Sequence, residues 1–318
     1  MEKTETKTEV QPEAEHQDKI DAEKTDAIAE ELQKLDTKKK HNPWMSWGLF
    51  GLSVLTFYFV GALVHKTAEV VVIGLVILLH ELGHYTAMKL FHFRNLRMLF
   101  IPLLGGAVSG EPQQGTQPWK HTVVALMGPL PGILIGLATY QIFLLTGYKP
   151  FYLYSLFSLA INGFNLLPIF PLDGGHYWEQ ILFSKHPVSE NIFRVGTIGL
   201  LLVIAFYVGS PLLIGFALFF LMGAFAAIQT GKIVNRIRAQ KLPVPTAGEP
   251  IGQEFIGYVL QNMDTSKWTT PKSLARIVKA VRQKFNVEKM PLRQTLFFIC
   301  FYFAFTGIVS VFAYKILV

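Results

Sequence analysis

Seven apolar segments constrain what this chain can fold into more than any other feature. They run near Met45–Val64, Val70–Leu90, Val123–Leu145, Tyr152–Leu167, Phe193–Val208, Leu212–Ile228 and Thr295–Leu317. A full helical span takes about 20 apolar residues, and several of these segments reach it. Hydrocarbon offers no water to unpaired backbone groups, so segments of this kind cross a membrane as helices. Composition agrees, with 51% hydrophobic and 16% charged residues against about a quarter charged in a soluble domain. Gly209-Ser210-Pro211 interrupts the stretch Phe193–Ile228, which reads as a tight helical hairpin, with one long kinked helix as the alternative. The expected fold class is all-α: a polytopic membrane protein of about six to seven transmembrane helices with a re-entrant loop and a disordered N-terminal tail.

Charge divides the chain further. Residues 1–42 hold 12 acidic and 8 basic residues and no aromatic, a composition that cannot bury enough apolar surface to order itself. They read as a disordered polar tail, with a short helix possible along Ile28, Leu32 and Leu35, and they lack the apolar region of a signal peptide. Residues 43–231 form the membrane core, 232–293 a basic loop, and 294–318 a last span. The loop from Lys232 to Arg293 has 12 Lys and Arg against 4 Asp and Glu. Within it Leu274, Ile277, Val278, Val281 and Phe285 line one side of a helical pattern. That pattern fits a basic amphipathic helix on an anionic leaflet or a small helical appendage packed on itself. Clusters at Lys38–His41, Lys89–Arg97 and Lys232–Lys241 all fall on one side of seven spans, which is then the cytoplasmic side, with the N-terminus on it. The net charge of +7 therefore reflects membrane orientation and not a nucleic-acid partner. Cys300, the one cysteine, excludes an intrachain disulfide and a cysteine-rich metal site.

The chemistry lies in the second segment, which reads His80-Glu81-Leu82-Gly83-His84. On a helix His80 and His84 stand one turn apart on one face. Two imidazoles so placed bind one zinc ion, and Glu81 beside them is the general base for an activated water. Three ionisable side chains inside an apolar run are costly and mark function by default. The alternative is a buried His–Glu–His cluster that only joins helices. A catalytic zinc needs a third protein ligand. Ala87 and Leu90 occupy the positions where an extended zincin pattern has Gly and His. The acidic candidates at membrane depth are Glu111, in a Gly-, Gln- and Pro-containing loop, and Asp173, in Pro171-Leu172-Asp173-Gly174-Gly175.

His80-Glu81-x-x-His84, together with Asn165-x-x-Pro168-x-x-x-Leu172-Asp173-Gly174 further along the chain, resembles the site-2 protease family of intramembrane zinc metalloproteases, peptidase family M50. The resemblance implies His80, His84 and Asp173 as zinc ligands, Glu81 as catalytic base, and Asn165 as a residue that handles substrate. Gly105-Gly106-x-Val108 is similar to the family's re-entrant loop, which assigns Gly105 and Gly106 to substrate handling. Gly128-Pro129-x-Pro131-Gly132 is similar to the segment opening its next core helix. The insert between the second and third segments has no room for a PDZ domain, and the loop after Gly231 has no pattern of a CBS domain. His176 is a fourth ligand, a proton shuttle or, in the plainer reading, a supporting residue.

The resemblance thus implies an intramembrane zinc metalloendopeptidase that cuts a membrane protein within or beside its transmembrane segment. A bacterial inner membrane is the expected location, and the lipid bilayer and the substrate's span are the expected partners. A metal-ion transporter and a proteolytically inactive scaffold are the alternatives. The first calls for ligands on several helices and His-rich loops, and the second for loss of Glu81 or a ligand.

Overall fold

The computed structural model describes residues 12–36, 43–63, 66–101, 105–113, 116–183, 187–246, 249–263, 270–285 and 290–317. In chain order the first elements are α1 (Pro12–Asp36), α2 (Pro43–Ala62), α3 (Thr67–Leu90), β1 (Arg94–Ile101) and β2 (Gly105–Glu111). There follow α4 (Pro118–Met127), α5 (Pro129–Thr146), α6 (Lys149–Asn165) and α7 (Asp173–Trp178), the last running into a π-helical turn over Glu179–Phe183. The chain ends with α8 (Pro187–Val208), α9 (Pro211–Ala239), α10 (Gln253–Gln261), α11 (Pro271–Phe285) and α12 (Leu292–Leu317). It divides into two compact units, Lys40–Ile228 with Val287–Val318 and Met1–Lys39 with Gln229–Asn286.

The larger unit is mostly helical. Among the described residues five helices are long and apolar enough to cross a membrane: Thr67–Leu90, Pro118–Thr146, Val188–Val208, Pro211–Ala239 and Leu292–Lys315. The first two are about half buried, at 44% and 50%, whereas the α9 window is only 11% buried, so α3, α4 and α5 form the inside of this unit. Large apolar side chains on the other faces, such as Tyr207 and Leu145, are open. That much exposed apolar surface suits lipid and not water. α2 is apolar over the shorter range Gly48–Ala62, and α6 has 17 residues.

Local signals set the breaks. Pro118, Pro129 and Pro150 sit in the first turns of α4, α5 and α6, where a missing N–H costs nothing. Pro129 has no N–H to offer the Ala125 carbonyl, so the helix is interrupted at Gly128. Between α8 and α9 the Gly209 N–H donates to Phe206 O at 3.1 Å and the Ser210 N–H to Ala205 O at 3.0 Å. Gly209 takes φ +67°, which a residue with a Cβ adopts only at a cost. The interrupted stretch is therefore two helices and not one kinked helix.

One two-stranded hairpin stands within this mostly helical, all-α membrane fold. β1 and β2 pair antiparallel, Met98 opposite Val108 and Phe100 opposite Gly106. The stretch expected as a loop at Gly105–Ser109 is thus strand. The Phe100 ring meets those of Phe50 and Phe57 edge-on at 5.8 and 5.6 Å, and its N–H donates to Ser53 Oγ at 3.0 Å, fixing the hairpin to α2. α12 closes against α7: Tyr177 OH donates to Phe298 O at 2.6 Å, and Tyr302 OH donates to Leu166 O.

α8 is tied to the π turn by charge. Arg194 Nη2 lies 2.5 Å from Glu179 Oε1 and 3.2 Å from Glu190 Oε1, and its guanidinium covers the Phe170 ring at 4.5 Å. Both carboxylates are buried. Removing the cation that they share leaves buried negative charge behind. Arg194→Met is expected to lower stability by about 3–5 kcal/mol, read as a fall in the midpoint of thermal unfolding in detergent.

The smaller unit has its own core. Ile28 and Leu32 of α1 pack with Ile233, Val234 and Ile237 of α9, Phe255, Ile256 and Val259 of α10, and Leu274, Val278 and Val281 of α11. Where a disordered tail was expected over 1–42, Pro12–Asp36 forms a helix, because the stripe Ile28-Leu32-Leu35 finds an apolar partner surface distant in sequence. Residues 1–11 and 37–42 lie outside the described residues. The apolar face of α11 is likewise buried in this core, as the self-packed reading requires, and does not face a leaflet. Among the described residues of the 232–293 stretch, α10 and α11 are helices packed in this core.

Candidate metal centre

α3 carries His80, Glu81 and His84, all buried. The two imidazole rings lie 4.9 Å apart, one turn of helix placing them on the same face, and their Nε2 atoms are 3.2 Å apart. Asp173 opens α7 and completes the group. Its Oδ2 is 3.0 Å from His80 Nε2 and its Oδ1 3.2 Å from His84 Nε2. The glycines after it make this approach possible. A Cβ on Gly175 would come within 2.5 Å of the Ile169 carbonyl carbon, so any larger residue would push the Asp173 turn off the 166–170 backbone. Among the described residues His80, His84 and Asp173 form a group whose ligand atoms lie within 4.8 Å of one another.

Hydrogen bonds behind the rings decide what this group can hold. His80 Nδ1 is 2.8 Å from Asn162 Oδ1, and the Asn162 amide nitrogen in turn donates to Ser158 O at 2.7 Å. The amide oxygen is therefore the acceptor and His80 Nδ1 carries the proton. His84 Nδ1 is 2.8 Å from the Val124 carbonyl, which can only accept. Val124 lies in the last turn of α4. With Nδ1 holding the proton, it is Nε2 of each ring that turns toward the other ring and toward the carboxylate, and in a neutral ring that atom bears a lone pair. Asp173 Oδ2 is buried without a hydrogen-bond donor. Lone pairs at this spacing with no proton between them repel unless a cation joins them. Two imidazole nitrogens and one carboxylate are the three protein ligands that suit a catalytic divalent metal ion.

Glu81 sits on the neighbouring face of α3, beneath the hairpin. A Cβ on Gly106 would stand 2.6 Å from Glu81 Oε1, so the β2 backbone lies directly against the carboxylate. The Val108 backbone N–H also faces Glu81. Gly106 therefore meets the acid. Gly105 is the first residue of β2, opposite Ile101.

The remaining sequence candidates fall elsewhere. Glu111, at the end of β2, is exposed and accepts from Asn95 Nδ2 at 3.0 Å. It lies outside the metal-ligating group. The Asn165 amide nitrogen turns back to Ile161 O of its own helix at 3.1 Å. His176 is exposed, edge-on to Phe170 at 5.0 Å and 3.9 Å from Glu179 Oε2. Two contacts went unforeseen in the sequence: Asn162 and the Val124 carbonyl, which fix the tautomers of the histidines. For Asn162 a signal existed. Ser155, Ser158 and Asn162 make a polar stripe at helical spacing on an otherwise apolar segment.

The family model for peptidase family M50 matches residues 68–151 and 145–207, the stretch that holds the whole metal-ligating group. The chain is 28% identical over 204 residues to a zinc metalloprotease of Methanocaldococcus jannaschii, covering 58% of this chain and 59% of that protein. It is 35% identical over 124 residues to stage IV sporulation protein FB of Bacillus subtilis, covering 38% of this chain and 42% of that one. The chain thus spans about three fifths of the first relative's length and two fifths of the second's. The solved site-2 protease from Methanocaldococcus jannaschii is similar at 22% identity with a TM-score of 0.41, over 58% of this chain and 88% of that chain.

Proposed function

We propose that the chain, which matches the model of peptidase family M50 over residues 68–151 and 145–207, is an intramembrane zinc metalloendopeptidase that cleaves membrane-embedded protein substrates. The observation that carries this reading is the convergence of His80 Nε2, His84 Nε2 and the Asp173 carboxylate beside Glu81, inside apolar helices. His80 and His84 would hold the zinc through Nε2 and Asp173 through its carboxylate. Zinc, when bound, polarises a peptide carbonyl and makes water a competent nucleophile near neutral pH. Glu81 takes the proton of the attacking water on its carboxylate and passes it to the leaving amine nitrogen.

A helical peptide bond is shielded by its own turn, so the substrate has to be extended where it is cut. β2 lies against Glu81, and Gly105 and Gly106 leave its first two positions without side chains, which suits addition of an extended segment alongside. Asn165 would join in substrate handling by leaving its bond to Ile161 O. At about 1.5 Å rise per residue, His84 and His80 lie roughly 9 and 15 Å along α3 from Leu90. Lys89, Arg94 and Arg97 stand at that end. Excess positive charge marks the cytoplasmic side, so water reaches the centre most directly from the cytoplasm, with the N-terminus on the same side. An inner membrane of a bacterial cell is the setting we assign.

The test is the purified full chain in liposomes, given a labelled peptide with one transmembrane segment. Cleavage within or beside that segment, lost on chelation and regained with zinc, is expected. Zinc passing through the bilayer with the peptide left intact would make the chain a transporter instead. A second variant probes β2. Gly106→Ala puts a methyl group where the Glu81 carboxylate lies, and displacing a reacting group by about 1 Å costs on the order of 10²-fold in rate. Cleavage is expected to fall by about that factor while bound zinc is unchanged.

A further inference from the structure

A buried polar line runs behind His80. The His80 Nδ1–H donates to Asn162 Oδ1 at 2.8 Å, Asn162 Nδ2–H donates to Ser158 O at 2.7 Å, and Ser158 Oγ–H donates to Gly132 O at 2.7 Å. Asn162 and Ser158 are fully buried. The line also fixes which way the amide points. Turned over, it would set Asn162 Oδ1 against the Ser158 carbonyl, acceptor on acceptor, and Nδ2 against His80. Nor can the side chain swing aside, since α5 presses on it at Gly132, where a Cβ would fall 2.6 Å from Asn162 Oδ1. A fully buried amide on an apolar helix is costly unless its groups are satisfied, and here both ends are.

We propose that Asn162 is the positioning residue of the metal centre: it holds His80 in the Nδ1–H tautomer with Nε2 aimed at the zinc, and as an uncharged acceptor it sets how tightly the zinc is held. The proposal rests on the reading of the site as a zinc centre. A partner behind a metal-bound imidazole fixes the ring and raises its basicity, and losing such a partner costs about 10–100-fold in metal affinity. Asn162 gives the fixed ring without adding charge. Asp173 remains the only carboxylate in the ligand group, which keeps the bound zinc electron-poor. An aspartate at 162 would accept the same proton and push more electron density onto His80.

Two substitutions separate acceptor from filler. Asn162→Leu keeps the volume and removes the acceptor. Asn162→Asp keeps the acceptor toward His80 and loses the donor to Ser158 O; its second oxygen then faces that carbonyl, and the Ser158 hydroxyl, 3.3 Å from the amide nitrogen, relieves it by turning from Gly132 O to donate to the carboxylate. Zinc affinity is measured on the full chain in detergent by competition with a chelator of known affinity. Asn162→Leu is expected to bind zinc about 10–100-fold more weakly than wild type, and Asn162→Asp at least as tightly as wild type. Asn165→Leu, on the same helix and bonded only to its own backbone, is expected to bind as wild type does. A residue that merely fills space would give the reverse order, the leucine variant keeping zinc and the buried aspartate losing it, and that order would overturn the proposal. Equal weakening in Asn165→Leu would do the same, by tracing the effect to α6 in general. A wild-type chain that holds no zinc would remove the zinc reading itself, whereas zinc in the wild type with the reversed order removes only the role of Asn162.

Discussion

Glu81→Gln is expected to lower peptide cleavage by roughly 10³-fold or more and to leave the zinc in place. The amide has nearly the shape of the carboxylate, so it fits under Gly106 and beside Val108. It cannot take a proton from water. Loss of a positioned general base costs about 10²–10⁴-fold, and the upper part of that range applies because, among the described residues, the metal-ligating group holds no carboxylate but Asp173, which would be committed to the zinc. The ligands do not depend on Glu81: His80 is fixed by Asn162 and His84 by Val124. Full zinc content with cleavage below about a thousandth of wild type fits a general base. Turnover well above that level would assign the proton transfer to another group.

Asp173→Ala and Glu111→Ala should part company completely. Asp173 lies 3.0 and 3.2 Å from the two imidazole nitrogens, with Oδ2 buried and lacking a donor. Removing it leaves two imidazoles and no anionic member of the ligand group to hold a dication. The loss should exceed the ~100-fold that a supporting partner costs, so zinc and cleavage both disappear. Glu111 is exposed and bonded to Asn95 at the open end of the hairpin, so Glu111→Ala should keep its metal and most of its activity. Metal analysis of both purified variants decides the matter. Zinc retained without Asp173 and lost without Glu111 would reverse the assignment.

Much of this was legible along the sequence because apolar runs of span length leave the backbone no choice but helix. α3, α8, α9 and α12 fall where those runs fall. Short-range order that depends on distant partners was not legible. β2 reads Gly-Gly-Ala-Val-Ser-Gly-Glu and shows no apolar alternation, so its strand character comes from pairing with β1. α1 is so highly charged that its composition argues for disorder. Its three-residue apolar stripe becomes decisive only once α9, α10 and α11 offer a surface to bury it. At the centre, the HExxH spacing gives His80, Glu81 and His84 directly. Apolar flanks and the glycines Gly174 and Gly175 favoured Asp173 over Glu111 in its Gln-, Gly- and Pro-rich stretch, and the resemblance agreed, but sequence does not say which loop folds back on α3. The Val124 carbonyl is a backbone group, invisible in the side-chain pattern. Asn162 was overlooked beside Asn165, although its spacing from Ser155 and Ser158 marks the buried face of α6.

The most direct test of the account is the metal content of the purified full chain, read together with its cleavage of a transmembrane peptide. One zinc per chain is expected, with both zinc and cleavage lost when His80 and His84 are replaced by Ala. Undiminished cleavage by zinc-free protein, or a full zinc complement in that double variant, would contradict it.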